Sequence, residues 1–206
     1  MEHKGAFTAG RKSKEGLVPQ EPKQKIKEEE KEMMKIALTN LGKYNEGELV
    51  FKWLSLPYTE DELEEALEEI GIDNEEYEEY FISDVEITSP YDVLDLEVGE
   101  YENLETLNEL AERLDILSID EILKLAAMIE WGTHMELIDA LDDIDSYCLD
   151  GSIDTTSDYA ERWMKESSYC DLPSVITTNI DYSEMGEELM AGSDEYISSY
   201  GLIRRC

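Results

Sequence analysis

Positive charge is scarce in this 206-residue chain. Lys and Arg number 17 against 52 Asp and Glu, a formal net of −35 at pH 7. The scarcity is local. Residues 1–35 hold 9 basic and 7 acidic side chains, whereas residues 36–206 hold 8 basic and 45 acidic, a net of −37. A body so charged excludes nucleic acid and anionic lipid as direct ligands. Long apolar runs are missing too. No stretch of roughly 18 apolar residues exists to span a membrane, and the N-terminus lacks the apolar core of a secretory signal. These absences predict a cytoplasmic protein without a membrane partner. Cysteine is sparse: Cys148, Cys170 and Cys206 have no metal-binding spacing, and reduced thiols are expected in that compartment.

Catalytic groupings are also wanting. The two histidines, His3 and His134, stand in a polar N-terminal stretch and at an expected helix start. There is no Gly-rich phosphate loop, His-Glu-x-x-His or Cys-x-x-Cys. An EF-hand frame with Gly151 in sixth place puts Ser146, Cys148 and Ser157 at the first, third and twelfth positions, where acidic ligands are required. Carboxylate pairs abound, but acid–base catalysis needs a carboxyl with a shifted pKa, and the sequence identifies none. The expectation is a protein that is not an enzyme, with no catalytic residue, cofactor or metal.

What is present favours folding. Hydrophobic residues make up 41%, with 12 Tyr, 3 Trp and 3 Phe, too many for a disordered acidic tail. Residues 1–33 read as a flexible extension with helical tendency from Gln24 to Met33. Residues 34–92 read as an N-terminal α+β domain. It has a strand at 35–41, a turn at 42–47, a strand at 48–54 and another at 80–87. Between them lies a helix with a Thr59/Glu62 capping box, an apolar stripe of Leu63, Ala66, Leu67 and Ile70, and Gly71 past its end. Residues 100–145 read as a central helical domain, with one helix at 103–114, a second opening at Ser118 with Glu121, and a third opening at Thr133 with Glu136. Residues 146–206 read as a C-terminal α+β domain with helices at 156–167 and 182–190 and a hairpin around Ser199-Tyr200-Gly201.

Carboxylates recur on the predicted solvent face of every element. On one helix this is an ordinary solvated face; across 171 residues it departs from surfaces that mix both signs, and solubility needs a net magnitude of only about 8. Duplex DNA carries about two charges per base pair, so this body matches about 18 base pairs. The clusters singled out are Glu62, Glu65, Glu68, Glu69, Glu75, Glu76, Glu78 and Glu79, then Asp139, Asp142, Asp143 and Asp145. The last four crowd an expected helix C-terminus, where carboxylates oppose the helix dipole.

Specific segments carry a resemblance. Leu41-Gly42-Lys43-Tyr44-Asn45-Glu46-Gly47-Glu48-Leu49-Val50, Trp53, and Asn74 through Asp84 resemble the N-terminal domain of ArdA antirestriction proteins. Tyr101-Glu102-Asn103-Leu104 through Ala111 resembles the start of that family's central domain, and Asn179-Ile180-Asp181-Tyr182 a segment of its C-terminal domain. The resemblance implies an α+β protein built as an elongated three-domain rod that dimerises through its C-terminal domain. It implies mimicry of B-form DNA and occlusion of the groove formed by the methyltransferase and specificity subunits of type I restriction-modification enzymes. Other readings stay open on sequence: a mimic aimed at a CRISPR effector or a transcriptional regulator, an acidic chaperone, halophilic adaptation, or an enzyme.

Overall fold

The computed structural model describes residues 33–73, 76–134, 136–167 and 171–206. The expected extension falls outside them except for Met33, which is fully buried and whose carbonyl accepts from Thr88 N–H and Oγ1. The protein is α+β, as the sequence predicts, with two three-stranded antiparallel sheets separated by helices.

Strand β1 (Met34–Asn40) is buried at six of its seven positions because it lies between two others. On one side is β2 (Phe51–Leu56), with Met34 opposite Leu56 and Thr39 opposite Phe51. On the other is β3 (Tyr80–Ile87). The β3 register slips between Ala37, opposite Asp84, and Leu38, opposite Ile82, leaving Ser83 as a bulge. The Ser83 hydroxyl meets Thr39 Oγ1 at 2.7 Å, which gives the buried threonine a polar partner.

The predicted turn at 42–47 is instead a short helix, α1 (Leu41–Glu46). Asn40 Oδ1 accepts from Lys43 N–H at 3.0 Å and starts it, while Asn40 Nδ2 donates to the Ile70 carbonyl at 3.0 Å. Gly47 ends α1 at φ 91°, a conformation that glycine adopts without steric cost. Glu48 N–H is spent on Lys43 O, which is why β2 starts at Phe51 and not at the expected Glu48. Helix α2 (Glu60–Glu69) carries the predicted capping box: Glu62 N–H bonds Thr59 Oγ1, and the Glu62 carboxylate accepts from Thr59 N–H at 2.7 Å. Ala66 and Ile70 are buried and Leu63 and Leu67 half-buried against the sheet.

A 3₁₀ turn (Tyr91–Leu94) leads into α3 (Leu104–Asp115) and α4 (Ile119–Trp131). Leu104, Leu107, Ala111 and Leu114 of α3 pack inward, as do Ile122, Leu125, Ala126, Ala127 and Met128 of α4. The third helix does not open at Thr133. Gly132 adopts φ 73° and donates to Ile129 O, and Thr133 N–H donates to Met128 O, so Thr133 closes α4 in a Schellman motif. The next helix, α5 (Leu137–Asp142), starts four residues later with Glu136 as an N-cap whose side chain makes no capping bond.

Asn108 of α3 accepts from Tyr58 N–H at 2.7 Å and donates to Tyr58 O at 3.1 Å. This clamp holds the residue before the α2 cap against the central helices. Each half-buried bond contributes about 0.5–1.5 kcal/mol net. Asn108→Ala is therefore expected to destabilise the protein by about 1–3 kcal/mol in urea melts; an unchanged midpoint would show that the clamp is dispensable.

The second sheet runs β4 (Tyr147–Asp150), β6 (Gly201–Arg205), β5 (Glu195–Ser198), all antiparallel. The β5–β6 hairpin is as predicted; β4 was not. Around it stand α6 (Thr156–Glu166), a single turn α7 (Ser174–Thr177) and α8 (Tyr182–Met190). Buried Gly186 lets α8 approach α6 so closely that an added Cβ would lie 2.0 Å from Thr156 O. The reduced-thiol expectation fails for two cysteines. Pairing of β4 with β6 sets Cys148 opposite Arg204, and Cys206 N–H bonds Ser146 O, which brings the two Cα atoms to 5.8 Å in a Cys148–Cys206 disulfide. A separation of 58 residues hides that pairing in the sequence. One buried hydrophobic cluster links both sheets through the central helices, from Met33 to Ile203.

Candidate acidic interaction surface

Helix α2 concentrates the carboxylates. Seven of its ten residues are Asp or Glu. At about 1.5 Å rise per residue, that is one carboxylate per ~2 Å of axis, close to the ~1.7 Å per charge of duplex DNA. Asp61, Glu64, Glu65 and Glu68 fall within about 100° of the helix circumference, opposite Ala66 and Ile70. All four are exposed.

The residues singled out from sequence divide by what they touch. Glu65 and Glu68 are exposed. Glu62 is exposed but bound to its cap, and hydrogen bonds from Thr59 hold its carboxyl below the usual carboxylate range. Glu69 pairs with Lys52 Nζ at 2.7 Å, a bond that raises the lysine's pKa. Glu76, Glu78 and Glu79 are exposed between α2 and β3; Glu75 lies outside the described residues. In the second cluster, Asp139 and Asp145 are exposed, whereas Asp142 and Asp143 are ion-paired. Asp142 meets Arg113 at 2.6 Å. Asp143 meets Arg205 at 2.7 Å and His134 Nε2 at 3.5 Å. Its pKa is lowered by a hydrogen bond from Ser146, with Arg205 and His134 adding to the effect. Asp142 thus ties the end of α5 to α3, and Asp143 ties it to the C-terminal strand.

One stripe was missed. Glu105, Glu109, Glu112 and Asp115 are exposed along α3 at spacings of four, three and three, which places them on one face. That spacing was readable from sequence. The Asn108 clamp ties α3 to the start of α2, so the two acidic helices are joined elements.

The cations are largely consumed internally. Of the eight basic residues in 36–206, six are in ion pairs: Lys52, Arg113, Arg162, Lys165, Arg204 and Arg205. A seventh, Lys43, points Nζ at Ile70 O (3.5 Å) and lies 5.4 Å over the Tyr77 ring.

His134 forms the nearest thing to a catalytic chain. Thr133 Oγ1 is 2.8 Å from Nδ1, and Nε2 is 3.5 Å from Asp143. The Thr133 hydroxyl also lies 3.1 Å from Met128 O, the carbonyl that its own N–H caps at the end of α4. The hydroxyl is thus held as a helix cap. No cluster able to hold a metal ion and no helix long and apolar enough to cross a membrane occurs among the described residues.

Excess like charge strains such a body. Raising salt from about 50 mM to about 500 mM screens that repulsion. The melting temperature is expected to rise by about 4–8 °C, on the order of 2 kcal/mol for a chain of this size. A melting temperature that falls with salt would show that attractive pairs, not repulsion, dominate.

Fold and surface together define an acidic α+β protein in which, among the described residues, exposed charge is mostly carboxylate. A family model described as antirestriction protein (ArdA) matches residues 36–204, and the chain belongs to that family of antirestriction proteins. No curated protein matches the chain.

Proposed function

We propose that this protein blocks type I restriction-modification enzymes by standing in for B-form DNA in the groove of their methyltransferase and specificity subunits. The observation that carries the reading is the linear density of carboxylates on α2, close to that of a duplex, with Asp61, Glu64, Glu65 and Glu68 on one exposed face, in a body whose cations are mostly paired internally. Phosphate contacts supply much of DNA affinity and position the protein without reading sequence. A mimic of phosphates alone therefore inhibits enzymes of differing sequence specificity. Asp61, Glu64, Glu65 and Glu68 of α2, the α3 stripe and Glu76, Glu78 and Glu79 supply the anions, with Asp139 and Asp145 as outliers. In this reading residues 34–92, 100–145 and 146–206 act as three domains, and the C-terminal one joins two copies.

The test is a restriction and methylation assay with a purified type I enzyme at about 50 mM and about 200 mM salt. Both activities are expected to be inhibited at equal protein and DNA site concentrations. The inhibition constant should rise by about 10³-fold or more between the two salts, as for a ligand making six or more phosphate-like contacts. Inhibition absent at both salts overturns the choice of target.

A further inference from the structure

The open face of the first sheet carries a feature that the polyanion does not require. Lys52 pairs with α2, so α2 covers the Lys52, Leu54 and Leu56 side of β2. By strand alternation Phe51 and Trp53 point the other way, and they are 46% and 37% exposed. Leu49, just before the strand, is 65% exposed. Register sets Trp53, Ala37 and Asp84 side by side across β2, β1 and β3. The small Ala37 leaves a hollow of about 290 Å³, lined by Leu49, Phe51 and Trp53 on one side, Ala37 and Ser83 beneath, and Asp84 on the other. Adjacent strands are about 4.8 Å apart, so the indole wall and the carboxylate wall are separated by roughly 10 Å. The Asp84 carboxylate is exposed, and Oδ1 accepts Val85 N–H at 2.9 Å, which fixes its orientation.

We infer that this hollow is a receptor for an arginine side chain presented by a partner protein. Its aliphatic stem and planar guanidinium lie on Trp53 and Phe51, and an N–H donates to Asp84. Arginine suits the site better than lysine because its weakly hydrated planar cation stacks on an aromatic face, whereas an ammonium keeps its water. The nearby exposed carboxylates Glu46 and Glu48 draw in a basic segment and repel a second copy of this chain. The positive charge of Lys35 on this face is registered with Glu86, farther along β3. The inference does not depend on DNA mimicry, since any arginine-bearing protein segment satisfies it.

The probes are two capped octapeptides of equal charge, (Arg-Ser)₄ and (Lys-Ser)₄, titrated into the full chain by calorimetry at about 100 mM salt. The arginine peptide is expected to bind at least fivefold more tightly. Trp53→Ser and, separately, Asp84→Asn should each abolish that preference while leaving binding of the lysine peptide within about twofold. Asp84→Asn changes one exposed side chain and keeps the test valid if Trp53→Ser fails to fold. Neutralising the α2 carboxylates should weaken both peptides alike and leave the preference intact, which separates this site from the polyanionic surface. Equal binding of the two peptides, or a preference that survives Asp84→Asn, overturns the inference. So does self-association in sedimentation that Trp53→Ser abolishes, since it assigns the face to a second copy.

Discussion

Replacing Asp61, Glu64, Glu65 and Glu68 together by Asn and Gln is expected to weaken inhibition of a type I enzyme by about 10²- to 10³-fold near 100 mM salt. Each phosphate-like contact contributes about 0.9 to the salt slope, or up to about eightfold in affinity at 0.1 M. Any single substitution should therefore cost less than about tenfold, while the fourfold variant lowers the salt slope by up to about 3.6. The choice of residues matters. These four share one exposed face and make no cap or ion pair, unlike Glu62 and Glu69. Removing them relieves repulsion, so the variant should melt at the same temperature or higher. Loss of inhibition with gain of stability is an outcome that damage to the fold does not produce. A second variant that relocates the same four charges elsewhere on the surface separates shape from bulk charge: an acidic chaperone keeps its activity, whereas a mimic loses it. Unaltered inhibition by the fourfold variant would remove α2 from the interface.

The largest effect on stability is expected at Gly186. Helices α6 and α8 cross where this glycine meets the first turn of α6, and a Cβ there would sit 2.0 Å from Thr156 O and 2.5 Å from Thr156 C. Those are backbone atoms in a turn fixed by the Thr155/Asp158 capping box, so they cannot swing aside as a side-chain tip does. Overpacking of this kind costs about 3 kcal/mol or more. Gly186→Ala should lower the melting temperature by about 6–12 °C. Well below that temperature, inhibition should survive if the α2 surface acts through the N-terminal sheet and helix. A melting temperature within about 1 °C of the parent would mean that the helices can separate at no cost.

Where local chemistry decides structure, the sequence was legible. Thr59 and Ser118 each precede a glutamate at the third helical position, and both helices begin where those boxes put them. Thr133 satisfies the same pattern and is misleading, because Gly132 had already recruited it to end α4. One residue cannot serve both helices, and the nearer carbonyls won. Strand β4 and the Cys148–Cys206 bond escaped notice because both depend on β6, more than fifty residues away. The candidate surface was half legible. Sequence identified a run of acids but not their partners, so Asp142 and Asp143, which anchor Arg113 and Arg205, looked like Glu68. Trp53 read as a strand residue; only the three-strand register puts Asp84 across from it.

The internal use of cations has an effect at the scale of the solution. Since six of the body's eight positive side chains are tied to carboxylates of the same molecule, passing polyanions find few hands to hold. In any volume already crowded with fixed negative polymer, mobile co-ions are depleted at equilibrium, and a solute of charge −35 is depleted steeply. Such a solute partitions away from packed nucleic acid into the gaps between, and under the proposed function an unoccupied cationic groove there is the most favourable place for it to come to rest.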